Sequence, residues 1–479
     1  MNGMTIQAMV KASHGLFFGN KELLDKCVNS IVTDSRQVKN GGAYAAISGA
    51  RVDGHDFIEQ VFENGAVLAL GEKECTVDLG EDRAYIKVPE IVKALGDIAH
   101  DYMEMLDIPV VGITGSVGKT STKEVVAAVL AEKFNVGKTQ GNHNNEIGLP
   151  LTCFTFDDKT EIAVLEMGIA AQGEMDQLTD IVKPDVAVIT NIGVTHMEIL
   201  GSRDGIFKEK SKIFKDLPEN GLAVLGGDDD MLSKVKAAGK GKIVFFGSGS
   251  NCSVHAEDIR IKGLLGTEFI IRSAEKDLDG IRAFIKIPGS HMVINALAAA
   301  VVGNYFGLTR EQIQEGISAA MTVSGRSRII DTGKMIIIDD CYNASPASMR
   351  SAIDTLRLAD SRKVAVLGDM FELGPEERKM HYELGRYICD NEADVLITVG
   401  KLSEDIIRGL GEYDIDAPLP LVKDSGNSLV CNGIECYAFT GNGKFKEYAE
   451  RILRSGDSVL LKASNSMNFT ELVEFLKDK

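Results

Sequence analysis

The segment GITGSVGKTST (Gly112–Thr122) has the pattern of a phosphate-binding loop between a strand and a helix. The run PVVGI, which overlaps its start, is typical of a buried strand, and TKEVVAAVL at its end is typical of a helix. The glycines let successive backbone N–H groups point at one anion, Lys119 adds a charge for phosphates, and Thr120 offers a hydroxyl to Mg²⁺. Ile113 stands where the strict pattern has glycine, with Gly115 displaced inside the loop. A glycine-rich turn without a ligand is the alternative, but it leaves the Gly-Lys-Thr triplet unexplained.

The composition is that of a globular protein with more than one domain. The chain has 479 residues, of which 44% are hydrophobic and 25% are charged, and this length favours three domains. The formal net charge of −18 argues against a nucleic-acid-binding surface, so an anionic nucleotide must be bound by local groups.

The cysteine spacing and the N-terminus indicate a cytoplasmic protein. The eight cysteines are scattered without a C-x-x-C pair, which fits reduced thiols rather than disulfides or a zinc site. The N-terminus lacks the apolar stretch of a signal peptide, and no window approaches 18 apolar residues. We therefore expect no membrane insertion.

Buried strands alternate with helices along most of the chain, which predicts an α/β protein. A small α/β domain is expected at 1–106, ending in the helix EIVKALGDIAHDYMEML. Runs such as PVVGITG, EIAVLEMG, DVAVITNIG and LAVLGG predict a central, doubly wound parallel sheet at 107–322. MIIIDDCYNA, KVAVLGDM, DVLITVG and SVLLKAS predict a Rossmann-like domain at 323–479.

Several polar residues of the central domain are predicted at the carboxyl ends of strands, where ligands bind in open α/β sheets. Glu166 closes EIAVLE, Asn191 closes DVAVITN, and His196 lies in the next loop. A carboxylate and an imidazole beside a phosphate loop are plausible ligands for Mg²⁺. A capping role for Glu166 and a simple loop role for His196 stay open on spacing alone.

Lys210 lies on the apolar face of the predicted helix DGIFKEKSKIFKDL, whereas Lys208 and Lys212 lie elsewhere on it. A buried lysine must be paired, neutral or chemically altered, because an isolated buried ammonium is costly. A desolvated amine can react with CO₂ to give a carbamate able to bind Mg²⁺. Extension of the side chain to the surface is the alternative that spacing leaves open. Asn295, Arg326 and Asp340 are weaker candidates, since each could be a turn or capping residue.

Taken together, the motifs resemble those of the Mur ligases of peptidoglycan synthesis over nearly the whole chain. The motifs in family order are TDSRQV with DGHDFI, TGSVGKTSTKE, TQGNHNNEIGLPLT, LEMG, ITNIGVTH, PGSHMVINALAA, IDDCYNASPASM and GDMFELGPEE. Within the family, GDMFELGPEE is most similar to the enzymes that join D-alanyl-D-alanine to UDP-N-acetylmuramoyl-tripeptide. The resemblance implies that 1–106 binds the UDP substrate, that 107–322 binds ATP, and that 323–479 binds the dipeptide and closes on ATP.

The resemblance also implies roles for single residues. Lys119, Glu166, His196 and Lys210 would be the catalytic set, and the metal ligands for two Mg²⁺ ions would be Thr120, Glu166, His196 and carbamylated Lys210. ATP would contact Thr114, Gly115, Ser116, Val117, Gly118, Lys119, Thr120, Ser121, Asn295, Arg326 and Asp340. The UDP substrate would contact Ser35, Arg36, Asn142 and Asn145. The implied enzyme acts as a monomer through an acyl phosphate.

Three segments depart from the family pattern. Met292 replaces a common asparagine, Asn40–Ile47 reads NGGAYAAI, and Leu461–Phe469 lacks the usual Gly and Arg. The alternatives are a sibling ligase that adds the third amino acid, a folylpolyglutamate synthetase, and a catalytically silent scaffold. A long domain ahead of the phosphate loop argues against the folate enzymes. The retained lysines, Glu166 and His196 argue against a silent scaffold, and the lack of an N-K-x-D run argues against a GTPase.

Overall fold

A computed structural model describes residues 1–49, 52–195, 197–249, 252–390 and 393–479. The strands form three sheets, and each sheet falls within one of the three segments expected from the sequence. The exact boundaries at 106/107 and 322/323 remain predictions. Among the described helices, none is long and apolar enough to cross a membrane.

The N-terminal sheet has five strands in the order β1-β5-β4-β3-β2. Its four strands β2 to β5 run parallel, and β1 pairs with β5 in the antiparallel sense. The strands are β1 (Leu16–Gly19), β2 (Ile31–Val32), β3 (Ala43–Ala45), β4 (Leu68–Gly71) and β5 (Ala84–Lys87). The helices are α1 (Ile6–Ala12), α2 (Ile58–Glu63) and α3 (Ile91–Leu106). As predicted, α3 leads into the central domain, where its apolar face packs against two helices of that domain.

The central sheet has nine strands in the order β14-β13-β12-β11-β10-β9-β6-β8-β7. Its strands are β6 (Val110–Thr114), β7 (Val136–Lys138), β8 (Ile162–Glu166), β9 (Val186–Ile189), β10 (Leu222–Gly226), β11 (Lys242–Gly247), β12 (Val254–Ile261), β13 (Thr267–Ser273) and β14 (Arg282–Ile285). Strands β6 to β12 run parallel, which confirms the predicted parallel sheet. The sheet then continues into two strands, β13 and β14, that were not predicted. They run antiparallel because short loops join β12 to β13 and β13 to β14.

The helices of this domain cover both faces of the sheet. They are α4 (Lys119–Ala131), α5 (Gly148–Cys153), α6 (Glu174–Val182), α7 (Met197–Leu200), α8 (Arg203–Ser211), α9 (Ser290–Tyr305) and α10 (Arg310–Ala319). The helix predicted through Leu217 is α-helical only to Ser211 and tightens to a 3₁₀ turn at Lys212–Phe214. Such a turn is common at the end of an α-helix, where the last carbonyls lack helical partners.

The C-terminal sheet has seven strands in the order β15-β16-β21-β17-β18-β20-β19. Its five inner strands run parallel, as predicted, and an antiparallel strand closes each edge. The strands are β15 (Arg328–Asp331), β16 (Ile336–Asp339), β17 (Lys363–Gly368), β18 (Val395–Val399), β19 (Leu429–Cys431), β20 (Ile434–Phe439) and β21 (Ser458–Lys462). Helices α11 (Pro346–Arg357), α12 (Glu377–Cys389) and α13 (Glu404–Leu410) pack on one face, and α14 (Asn442–Ile452) and α15 (Thr470–Lys477) pack on the other.

Helices on both faces bury the strands beside the phosphate loop and in the middle of the C-terminal sheet, which explains their continuous apolar sequences. Every residue of β6, β8 and β21 is buried. The polar residues that follow these strands therefore gather at the carboxyl ends of the two sheets.

The packing of α12 on α13 depends on two glycines at the contact. A Cβ on Gly409 would lie 1.8 Å from the Tyr382 carbonyl oxygen, and a Cβ on Gly385 would lie 2.0 Å from that of Ile406. We predict that Gly409→Ala and Gly385→Ala each lower the free energy of unfolding by about 1–3 kcal/mol, because the helices must separate. Urea denaturation measures the change.

The matched control is Gly443→Ala, on the exposed side of α14, where an added Cβ meets nothing within 4 Å. This control should be neutral or stabilising by about 1 kcal/mol, because alanine favours helix. Equal effects at the three positions would contradict the packing argument.

Candidate active site

The phosphate loop connects β6 to α4 and needs glycine at two positions. A Cβ on Gly115 would lie 1.9 Å from the Thr190 Oγ1 atom, which leaves no room for a side chain. Gly118 precedes the helix with a φ of +89°, in the left-handed region that favours glycine. The N-terminus of the 13-residue α4 therefore points its free N–H groups and its dipole at this loop.

The end of β9 clamps the phosphate loop. The Asn191 side chain accepts a hydrogen bond from the Val117 N–H at 3.0 Å and donates one to the Val117 carbonyl at 2.9 Å. Thr190 Oγ1 donates to the same carbonyl at 2.6 Å, and the Ser116 Oγ accepts from the Gly193 N–H at 2.9 Å. The shape of the loop is therefore fixed by side chains of the neighbouring strand.

Lys119 folds back over the loop in this structure. Its Nζ donates to the Gly115 carbonyl at 2.9 Å. Burial lowers the pKa of Lys119, and the positive charge of Arg326 lowers it further, whereas Glu166 acts in the opposite direction. An anion bound in the loop would relieve this crowding of positive charge.

A buried carboxylate network lies beside the loop. Glu166, at the end of β8, accepts a hydrogen bond from the Thr120 hydroxyl at 2.9 Å and one from the Asn144 amide at 2.8 Å. The Glu166 N–H donates to Thr139 Oγ1 at 2.9 Å, which fixes the start of the asparagine-rich segment. Thr120 and Glu166, predicted as metal ligands, are thus in contact.

Asn142 and Asn145 of the asparagine-rich segment were predicted to contact the substrate, whereas Asn144 was not. The Asn142 and Asn145 side chains are exposed, and Asn145 caps the start of α5 through the Gly148 N–H at 2.9 Å. Asn144 instead lines the cleft beside Glu166. Three asparagines within four positions carry no signal that tells which one points inward.

A cleft separates the phosphate loop from the C-terminal domain. Five of the predicted phosphate-loop residues, Ser116, Val117, Gly118, Lys119 and Thr120, line its central-domain wall. Thr114, Gly115 and Ser121 lie outside this lining, and the buried Thr114 hydroxyl has no hydrogen-bond partner among the described residues. The opposite wall consists of Arg326, Tyr342–Ser345 with Ser348, and Phe371–Leu373.

Arg326 faces the phosphate loop from this opposite wall. Its guanidinium stacks 4.0 Å above the ring centre of Tyr342, and within the described part of the chain its buried Nε has no hydrogen-bond partner. Tyr342 was not among the predicted site residues, although it lies two residues after the predicted Asp340. Ser345 starts α11 through a capping box with Ser348, which fixes this wall of the cleft.

Asp340 is engaged inside the C-terminal domain. Its carboxylate accepts from the Ser327 N–H at 2.9 Å and forms a buried ion pair with Lys462 at 2.6 Å. Asp339 similarly accepts from the Gly325 N–H at 2.9 Å. Both carboxylates therefore hold the backbone on either side of Arg326, and neither lines the cleft.

The structure buries Lys210 and exposes Lys208, as the helical spacing predicts. Lys210 is only 1% exposed. Burial holds the pKa of Lys210 well below the ordinary value, the charge of Lys119 lowers it further, and Glu209 and Glu166 oppose the shift. Glu209 itself is occupied by the N–H groups of Gly173 and Met175 at 2.9 and 3.0 Å.

Asn295 lies behind the phosphate loop on α9. Its Oδ1 accepts from the Thr122 hydroxyl at 3.1 Å, and its Nδ2 lies 3.4 Å from the sulfur of Met292, which replaces the family asparagine. His196, also predicted to serve the metal, lies outside the described residues.

Ser35 and Arg36 lie after β2 in the N-terminal sheet, and the described part of the cleft lining contains neither. Arg36 pairs with Asp34 at 2.7 Å, and this contact lowers the pKa of Asp34 to about 2. Asp53 caps the next 3₁₀ turn and accepts from His55 Nδ1 at 2.7 Å. The motifs TDSRQV and DGHDFI thus form capped turns that follow the neighbouring strands β2 and β3.

Family models match three parts of the chain. They are described as Mur ligase family, catalytic domain, over residues 28–103, Mur ligase middle domain over 113–303, and Mur ligase, glutamate ligase domain, over 325–465.

The chain is similar to curated and solved proteins over most of its length. The UDP-N-acetylmuramoyl-tripeptide–D-alanyl-D-alanine ligase of Bacillus subtilis (strain 168) is 35% identical over 98% of this chain and 97% of its own. The ligase of the same name from Escherichia coli (strain K12) is 33% identical, and the match covers 83% of this chain and 87% of the Escherichia coli protein.

Two solved structures share the three-domain fold. MurF from Acinetobacter baumannii superposes with a TM-score of 0.85 at 29% identity, covering 99% of both chains. MurF ligase from Thermotoga maritima in complex with ADP gives a TM-score of 0.78 at 29% identity, covering 94% of this chain and 97% of its own. The resemblance expected from the sequence motifs is confirmed, and the chain belongs to the Mur ligase family.

Proposed function

We propose that the chain is an ATP-dependent ligase that joins D-alanyl-D-alanine to UDP-N-acetylmuramoyl-tripeptide in peptidoglycan precursor synthesis. The names of the relatives from Bacillus subtilis and Escherichia coli support this reaction, and the ADP complex of the Thermotoga maritima MurF supports the nucleotide. The single observation that carries the proposal is the cleft, in which Lys119 and Arg326 face each other beside Glu166.

The reaction forms an amide in two steps. The terminal carboxylate of the tripeptide attacks the γ-phosphorus of ATP, which gives an acyl phosphate and ADP. The dipeptide amine then attacks the acyl carbon, and the tetrahedral intermediate expels phosphate and loses a proton.

The cleft supplies what these steps require, which is positive charge and exclusion of water. Lys119 and the N–H groups at the start of α4 would neutralise the transferring phosphoryl group from one side, and Arg326 would do so from the other. Tyr342 holds the Arg326 guanidinium in place by stacking. Because an acyl phosphate hydrolyses in water, a C-terminal wall close to the phosphate loop favours transfer to the amine.

The donor groups beside the loop fit Mg²⁺. The Thr120 hydroxyl and the Glu166 carboxylate are oxygen donors in mutual contact at 2.9 Å, and hard cations prefer such donors. These two residues would hold one ion, and His196 with carbamylated Lys210 would serve a second. The bound ions would supply charge neutralisation at the phosphates.

The carbamate is proposed because Lys210 is buried with a depressed pKa. A neutral Nζ attacks CO₂, forms a carbamate and releases one proton. The modification replaces an amine that is costly to charge when buried with an anion beside Lys119, so the local charge becomes more balanced.

The other substrate contacts are proposed by the family resemblance. Ser35 and Arg36 would bind the uridine end, and Asn142 and Asn145 would contact the muramoyl part. Asn295 would contact adenine, and Asp340 would reach the nucleotide if its present partners release it. A cytoplasmic location is proposed because all eight cysteines are free thiols, and a monomeric state remains a prediction.

We predict that ADP release requires both UDP-N-acetylmuramoyl-tripeptide and D-alanyl-D-alanine, because ATP activates a carboxylate that only the dipeptide amine consumes productively. A coupled ADP assay measures this dependence, and chelation of Mg²⁺ should abolish it. Equal rates with free amino acids in place of the dipeptide would indicate a ligase that adds the third residue. No ADP release with any acceptor would indicate a silent scaffold.

We predict that Lys210→Ala lowers kcat by about 100-fold or more and that short carboxylic acids partly restore it, because they replace the carbamate oxygens. Lys208→Ala is the matched control, since this exposed lysine lies on the same helix, and it should stay within about twofold of the wild type. The same ADP assay measures both variants. An equal loss at the two positions, or no rescue of Lys210→Ala, would contradict the carbamate.

A further inference from the structure

The segment Met370–Leu373, here called the rim segment, forms part of the C-terminal wall of the cleft. Phe371, Glu372 and Leu373 line the cleft opposite the phosphate loop. Glu372 has a φ of +63°, in the left-handed region that a residue with a side chain rarely adopts. The surrounding contacts must therefore hold the rim segment in this shape.

Two anchors at the ends of neighbouring strands fix the base of the rim segment. Asp369, directly after β17, accepts hydrogen bonds from the N–H groups of Lys401 at 3.1 Å and Ser403 at 2.7 Å. Ser464, after β21, donates its N–H to the Asp369 carbonyl at 3.0 Å, and its Oγ accepts from the Phe371 N–H at 2.9 Å.

His381 on α12 provides a third anchor through the backbone N–H of Met370. Its side chain is fully buried, and its Nε2 lies 2.9 Å from the Met370 backbone nitrogen. Its Nδ1 lies 2.7 Å from the Glu377 carbonyl oxygen. Because the Met370 N–H can only donate, Nε2 must accept, and Nδ1 must carry the proton that the Glu377 carbonyl accepts. The contacts thus define one neutral tautomer.

Protonation would destroy this anchor, since Nε2–H would face the Met370 N–H. Burial lowers the pKa of His381, which keeps the ring neutral at pH 7. The charged groups around the ring are Glu377 on α12, Asp369 after β17 and Asp405 on α13. Their negative charges act against burial and raise the pKa of His381. Asp405 is itself balanced by two ion pairs, with Arg378 at 2.9 Å and Arg408 at 2.8 Å.

We propose that His381 is a positioning residue, which holds the rim segment in the shape that the amine substrate meets in the cleft. The inference rests on the proposed function. The phosphate loop and Arg326 supply the groups for phosphate, so the remainder of the C-terminal wall, which includes the rim segment, is left to receive the attacking amine. His381 acts through the Met370 backbone and touches no substrate itself.

The test compares three variants in two independent measurements. His381→Phe fills the space without an acceptor, and His381→Gln restores an acceptor and a donor. His255→Gln changes a partly exposed histidine in the central domain and serves as the control. Steady-state kinetics with ATP, UDP-N-acetylmuramoyl-tripeptide and D-alanyl-D-alanine give KM for each substrate, and hydrogen exchange reports the backbone N–H groups of Met370 and Phe371.

His381→Phe should raise KM for the dipeptide by about tenfold, with the KM of ATP and kcat changed by less than about threefold. Hydrogen exchange should accelerate by about tenfold or more in the rim segment and stay unchanged in β17 and β21. His381→Gln should restore the KM for the dipeptide and the exchange rate of the rim segment to near the wild type. His255→Gln should leave both quantities unchanged.

The pH profile adds a readout that a purely structural role would not move. In the wild type, kcat/KM for the dipeptide should fall on the acid side, as pH drops through the lowered pKa of His381. His381→Gln should remove this acid limb, because glutamine does not titrate. A matching acid limb in both proteins would overturn the proposal.

Failure of the inference is distinguishable from failure of the proposed function. Equal changes in all three KM values, or exchange that accelerates throughout the C-terminal domain, would show a merely structural role for His381. Should the wild type release no ADP with the dipeptide, the proposed function fails. In that case hydrogen exchange still decides whether His381 holds the rim segment. Faster exchange in His381→Phe that is confined to the rim segment would support this role, and unchanged exchange there would contradict it.

Discussion

The rest of the site depends on an excess of positive charge held around one buried carboxylate. Lys119, Lys210 and Arg326 surround Glu166, although the whole chain carries a net charge of −18. Burial and a like-charged neighbour lower the pKa of Lys119 and of Lys210, so both lysines lie where positive charge is unfavourable. An anionic ligand in the cleft would offset these positive charges, and the proposed carbamate on Lys210 would do the same.

The two halves of the cleft are positioned by different means. In the central domain, close approach of Gly115 to Thr190 and the Asn191 clamp shape a loop with little freedom to rearrange. In the C-terminal domain, carboxylates at strand ends hold backbone N–H groups, and Arg326 rests on Tyr342 by stacking. A tightly bonded phosphate site thus faces a wall assembled from several loops.

Much of the fold follows from the sequence because parallel strands buried on both faces are continuously apolar. The predicted strands and the linking helix α3 are found at the expected places. Strands β13 and β14 were not predicted, because an antiparallel edge has no strong apolar run. The face of Lys210 was predictable because helical periodicity fixes which side chains share a side. The position of Asn144 in the cleft was not predictable, since three asparagines in a loop follow no period that fixes which side chain points inward.

The sequence by itself determined the phosphate loop, the family and the helix face on which Lys210 lies, because each depends on short-range spacing or on a motif, whereas the burial of Lys210 was decided by the tertiary structure. Only the tertiary structure decided that Tyr342 supports Arg326, that Asp340 is engaged with Lys462, and that His381 reaches the rim segment. These contacts join residues from different loops or elements, and their partners follow from how strands and helices pack rather than from any local pattern.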